Sequence, residues 1–145
     1  MKKINLFLMC MFLGFMCLAQ KSDDILGTWL NASGEGKIKI FKSGEYYYGN
    51  LIWLKNPLND KGQPKVDDKN PDASKRSRKI QGLLILTGFT YDTKSKHWDN
   101  GQIYDPKSGK LYSCKMSISS EGKLNIRGFI GISLIGRTES WTRAE

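Results

Sequence analysis

From residue 27 onward the chain alternates apolar and polar positions with a period of two, in short segments separated by turn-forming residues. Ile38 and Ile40 alternate with Lys37 and Lys39, and Tyr112, Cys114, Met116 and Ile118 alternate with Ser113, Lys115 and Ser117. A period of two gives each strand one dry face and one wet face. The pattern predicts strands over 27–33, 36–42, 45–54, 82–91, 97–105, 110–119, 122–130 and 133–143. Ser43-Gly44, Asp92 to Lys96, Asp105 to Gly109 and Ser120 to Gly122 join them, all rich in residues that tolerate tight-turn dihedrals.

A row of short hairpins favours an all-β, antiparallel up-and-down β-barrel of about eight strands, because closure hides both sheet edges and the apolar face. A two-sheet sandwich also accommodates alternating strands, but the short connections favour neighbouring pairs over Greek-key crossings. The rhythm breaks in loop 55–79, which holds Pro57, Pro64 and Pro71, eight basic and four acidic side chains, and few large apolar residues. A loop of this length is expected to cross one mouth of the barrel, with a helical turn within Ala73–Ile80; solvated decoration is the alternative.

The N-terminus follows a different pattern. Lys2 and Lys3 precede an apolar run from Ile4 to Phe15, and Cys17 and Ala19 supply small residues, which is the order of a signal peptide spanning 1–19 and cleaved between Ala19 and Gln20. A membrane anchor would need about 20 apolar residues, and lipid attachment at Cys17 would need a small residue where Met16 stands. Export to the periplasm or medium is therefore expected, with residues 20–145 as a single domain. Loss of Lys2 and Lys3 lowers the net charge from +9 to +7, and loss of Cys10 and Cys17 leaves Cys114 alone. With no internal disulfide possible, stability must come from the apolar core.

Several longer runs resemble one family. Gly27-Thr28-Trp29 opens the first strand as Gly-x-Trp does in lipocalin-like (calycin) barrels. The run Gly101 to Tyr112, then Arg127-Gly128-Phe129-Ile130-Gly131 and Gly136 to Arg143, with Trp53, Asn56-Pro57 and Asn70-Pro71-Asp72, is similar to the exported bacterial family called domain of unknown function 2147. The resemblance implies a lipocalin-like barrel in the cell envelope and transfers no catalytic residue. It also implies that an arginine of the last strand, where Arg137 and Arg143 lie, packs across Trp29 and closes the base; Trp29 and Arg143 are the candidate closure pair.

Chemistry by residue type yields little for an enzyme. His97, the sole histidine, has no glycine-flanked nucleophile elbow to serve, and Cys114 lies on an apolar phase with no histidine placed to activate it. Asp68, Asn70 and Asp72 begin like a calcium loop, but Ala73 replaces the turn glycine and Lys79 the closing glutamate, so a plain turn is expected. One histidine and one mature cysteine disfavour zinc, and no cofactor is indicated. Interleaved cations with Tyr46, Tyr47, Tyr48, Trp53, Trp98 and Tyr104 could stack bases, but export removes nucleic acid from reach.

Alternation puts Arg127 and Phe129 on one face of their strand, and Arg137, Glu139, Trp141 and Arg143 on one face of the next. If Trp141 points inward, so do Arg137 and Glu139, either as a structural ion pair or with an arginine left to hold an anionic head. An eight-stranded barrel has room for its own side chains or for one small ligand. The first expectation is an envelope protein binding a small apolar or amphiphilic ligand, with Tyr46, Tyr48, Trp53, Tyr104 and Tyr112 lining the site and Arg127 or Arg137 anchoring it. The second is a filled barrel that docks another envelope protein through loop 55–79.

Overall fold

A computed structural model of the protein describes residues 21–132 and 134–144. The proposed signal segment 1–19 and its Ala19-Gln20 cleavage site lie outside the described residues. The strands are β1 (Gly27–Leu30), β2 (Gly36–Ser43), β3 (Tyr46–Leu54), β4 (Leu84–Asp92), β5 (His97–Asp105), β6 (Lys110–Ile118), β7 (Leu124–Phe129) and β8 (Gly136–Arg143). Each runs antiparallel to the next, and β8 returns to β1 through Trp29 opposite Arg143 and Leu30 opposite Thr142. The sheet is a closed antiparallel barrel, as the alternation predicts, and not a sandwich.

The main boundary differences fall at β1, at β8 and in the long loop. β1 stops at Leu30 because the Asn31 carboxamide oxygen accepts from the Glu35 and Gly36 amides (3.0 and 3.1 Å) and turns the chain. The β7–β8 connection occupies 130–135, so β8 starts three residues later than expected. The long loop runs to residue 83, and its helical content is one 3-10 turn, Ala73–Lys75, capped by Asp72.

Antiparallel order sends the β1–β2, β3–β4, β5–β6 and β7–β8 connections to one end of the barrel and both ends of the described chain to the other. The second end is filled. Trp29, Tyr47, Phe89, Trp98, Leu86 and Met116 are all at most 1% exposed there. Gly101 makes this possible, since a Cβ at that position would strike the Phe89 ring.

Residues 21–26 form the plug beneath these rings. The Trp29 and Trp98 indole N–H groups donate to the carbonyls of Ile25 (2.8 Å) and Ser22 (3.0 Å), and the Tyr47 hydroxyl donates to Asp23 (3.0 Å). Arg143 lies over the Trp29 ring at 4.0 Å and donates to the carbonyls of Leu26 and Asp24, both at 2.7 Å. Gly27, at φ +113°, leaves room for that guanidinium; a Cβ would stand 2.9 Å from its nitrogen.

Candidate functional site

The other half of the barrel is open. Inward positions there carry Ile38, Leu51, Ile85, Ile103 and Ile126, with glycine at 36 and 128, instead of the large rings of the closed half. Smaller side chains at inward positions leave a cavity of about 730 Å³, floored by Trp141 and reached from the mouth. The interior is thus packed at one end only, and the wholly filled barrel of the second expectation is not what the chain builds. A further depression of about 790 Å³ lies around Thr87, Asn100, Gln102 and Lys115. It is an open groove by the break in β5 register between Trp98 and Gly101 and lacks the aliphatic enclosure of the interior cavity.

β8 supplies the polar fixtures. Its alternation is strict, so Trp141, Glu139 and Arg137 project inward at successive depths. Trp141 is buried, Glu139 is partly exposed, and the Arg137 side chain is 87% exposed at the mouth. The Arg137 guanidinium stands 3.7 Å from the Glu139 carboxylate, a distance and exposure at which an ion pair is worth little. Across the rim, Lys107 of the β5–β6 turn donates to Glu35 of the β1–β2 turn at 2.7 Å. That bond, with the lysine charge, holds the Glu35 carboxyl below its ordinary value.

Of the residues expected to line a site, Tyr104, Tyr112 and Arg137 do border the cavity, while Tyr46, Tyr48, Trp53 and Arg127 do not. Tyr47 takes the inward place, 1% exposed, so its neighbours Tyr46 and Tyr48 turn outward, Tyr48 stacking on Phe41 at 5.7 Å. Trp53 faces out because β3 carries an extra residue: Lys37 pairs with Trp53 but Ile38 with Leu51. This bulge exchanges the faces beyond Leu51, and Leu54 reaches the cavity instead. Arg127 lies on the outer wall, donating to the Thr138 hydroxyl (2.9 Å) and the Leu134 carbonyl (3.3 Å).

Loop 55–83 roofs the mouth, and Asn56, Lys65 and Ile80 border the cavity from it. Its anchor is Asp67, a carboxylate with no exposed side-chain surface. Asp67 accepts from the Tyr104 hydroxyl (2.6 Å), the Asn70 amide (2.8 Å) and the Arg78 guanidinium (3.1 Å). Burial alone would raise its pKa, but these three donors outweigh it and hold the carboxyl below its ordinary value. Burial and the same bond push the Tyr104 phenol up to about 12. Nothing in the alternation pattern marks Asp67; a lone carboxylate in a polar loop gives no sign of burial.

Asp68, Asn70 and Asp72 form a turn, as expected. The Asn70 carboxamide accepts from the Asp72 amide (2.9 Å), and Asp72 caps the 3-10 turn through the Ser74 amide (3.0 Å). Cys114 is buried, and desolvation pushes its thiol up to about 12, far from a thiolate nucleophile at neutral pH.

The loop also rests on the β5–β6 turn at Gly109, φ +71°, where a Cβ would land on the Lys69 carbonyl. Gly109→Ala should therefore cost about 1–3 kcal/mol through left-handed strain and that clash. Chemical denaturation would measure it; an unchanged midpoint would show that the loop does not bear on this turn.

The family model described as "Uncharacterized protein conserved in bacteria (DUF2147)" matches residues 27–143, which spans every strand. Among solved structures, the chain is similar to protein HP1028 from Helicobacter pylori, described as belonging to the lipocalin family. The two share 20% identity and a TM-score of 0.70, over 83% of this chain and 82% of that one. At that identity the likeness speaks for a lipocalin-like fold and nothing finer. No curated protein matches.

Proposed function

The chain belongs to the DUF2147 family of uncharacterized bacterial proteins, and on that premise we propose that it is an exported, non-enzymatic barrel that binds a small apolar or amphiphilic molecule. The cavity of about 730 Å³ carries this reading, since it falls within the range of about 300–1,000 Å³ usual for small-molecule sites. An apolar portion would lie against Ile38, Leu51, Ile103 and Ile126. A polar end would meet Arg137 and Glu139, the anchor at the mouth. Export is supported by the Lys2-Lys3, Ile4–Phe15, Ala19 pattern.

Native mass spectrometry of the gently purified protein is expected to find a non-covalent adduct. Gly128→Leu should exclude it while the barrel stays folded, because a Cβ at 128 meets only ordinary contacts 3.7 Å away at Ile103 and Tyr112 and the longer chain would project into the cavity. Arg137→Ala should weaken uptake about tenfold to a hundredfold if the guanidinium holds an anionic head, the range for one hydrogen bond to a charged group. A protein that is empty from every source, and unaltered by either change when titrated with fatty acids and lysolipids, would overturn the reading.

A further inference from the structure

Charge and exposed apolar surface are both gathered at the open end. Among the described residues, eleven large hydrophobic side chains are exposed, and nine of them sit there; only Phe41 and Tyr46 flank the opposite end. The β7–β8 connection forms the apex: Ile130, Ile132, Leu134 and Ile135 are 71%, 60%, 85% and 72% exposed. Leu111 on β6, and Trp53 and Leu84 on β3 and β4 across the barrel, are also exposed on the outer wall near the same rim. Connections at this end, 31–35, 55–83, 106–109 and 130–135, carry nine basic and five acidic side chains. Those at the other end, 21–26, 44–45, 93–96 and 119–123, carry four of each.

We propose that the open end is a membrane-docking surface, with the β7–β8 apex inserted among the acyl chains of an anionic bilayer and the basic loops held against its headgroups. The apex is built for shallow insertion. The Ile135 amide donates to the Ile132 carbonyl (3.1 Å), and Arg127 donates to the Leu134 carbonyl. These bonds satisfy backbone groups that would otherwise enter hydrocarbon unpaired. Arg137 stands at its base, exposed and close to the depth where arginine meets phosphate, and Trp53 is a residue type that favours the same interface.

Charge complementarity selects a bilayer over a protein partner. The apolar apex shares its end of the barrel with loop 55–83, whose eight basic and four acidic side chains leave a net charge of +4, and the barrel is closed, so it offers no unpaired strand for β-augmentation. No helix among the described residues is long and apolar enough to cross a membrane. Docking is independent of whether the cavity takes a ligand, although it would place the mouth against the membrane.

Vesicle flotation tests this, using the chain as recovered from the expressing cell, with the same mature N-terminus in every arm. Vesicles containing phosphatidylglycerol should bind the wild type at least about tenfold more strongly than pure phosphatidylcholine, and added salt should weaken the binding. Ile132→Ser combined with Leu134→Ser should lower the partition coefficient at least about tenfold with the thermal midpoint unchanged. Leu134→Trp should give an emission that shifts to the blue on binding and is quenched by brominated acyl chains.

Three results would overturn the proposal: no vesicle binding, binding that the double variant leaves intact, or self-association that the double variant abolishes in the absence of lipid. Failure here with an adduct still present in the cavity would leave the ligand reading standing. The reverse result would separate the two in the other direction.

Discussion

Trp29→Ala is expected to lower the unfolding free energy by about 3–5 kcal/mol, the usual cost of truncating a fully buried large aromatic residue. Trp29 is 0% exposed, lies in the filled half beside β2 and β8, and holds the plug through its bond to the Ile25 carbonyl. Its loss empties the base of the barrel where the sheet closes. The β1–β8 seam has only two residue pairs in register, so the rings beneath must do much of the closing. Arg143→Ala should cost less, about 1–3 kcal/mol, because it frees two carbonyls near the surface where water can replace the guanidinium. A double-mutant cycle between the two should give a coupling of about 0.5–1 kcal/mol, as for a largely exposed cation over an indole. Urea titration of the four proteins measures all three quantities. Strict additivity would mean that the stacking of Arg143 on Trp29 is incidental to closure.

This closure was partly legible from residue order. Gly27-Thr28-Trp29 and Arg143 stand at opposite ends of the domain sequence, and an antiparallel array of eight strands brings the first and last together. β8 was the most readable strand, because its alternation from Arg137 to Arg143 is unbroken and one inward residue fixes the others. β3 was the least readable. Tyr46, Tyr47 and Tyr48 present rings to both faces, so composition cannot choose between them, and the inward residue beside them is Gly49, which gives way to Leu86 at a Cβ distance of 2.8 Å. The bulge at Ile52 then reverses parity for Trp53, and a bulge depends on the partner strand as much as on its own residues. The cavity could be allowed but not located from sequence: it arises where Gly36 and Gly128 face aliphatic side chains, a matter of cross-strand register. Asp67 was invisible for a similar reason, since Tyr104 and Arg78 lie 37 and 11 residues away in the chain.

Asp67→Ala should release the roof of the cavity while leaving the barrel folded. Three donors lose their acceptor at once, and removing one partner of a buried charge pair typically costs about 3–5 kcal/mol. The Arg78 side chain is 45% exposed and returns to water readily, so about 2–3 kcal/mol is expected. Each 1.4 kcal/mol is tenfold in the opening equilibrium, which predicts trypsin cleavage at Lys65, Lys69 or Arg76 about 30–150 times faster than in the wild type. Tyr104→Phe should act in the same direction with a smaller effect, since Asn70 and Arg78 still hold the carboxylate.

The pH dependence follows from the two shifts at this contact. Asp67 has a lowered pKa in the folded state, so its contribution is present above the ordinary carboxylate value and lost as pH falls through the folded one. Tyr104 is raised to about 12, so its contribution is complete below the ordinary phenol value of 10.0 and lost as pH rises from there through about 12. Hydrogen exchange of segment 65–80, read by mass spectrometry and corrected for intrinsic rates, should show a protected plateau between these limits. Protection should fall at both ends in the wild type; in Tyr104→Phe the alkaline fall should be lost and the acid fall should shrink, since the Tyr104 hydroxyl is also one of the donors that lower Asp67. A roof equally open in wild type and Asp67→Ala at neutral pH would show that the carboxylate does not hold it, and the mouth would then owe its shape to the β5–β6 turn alone.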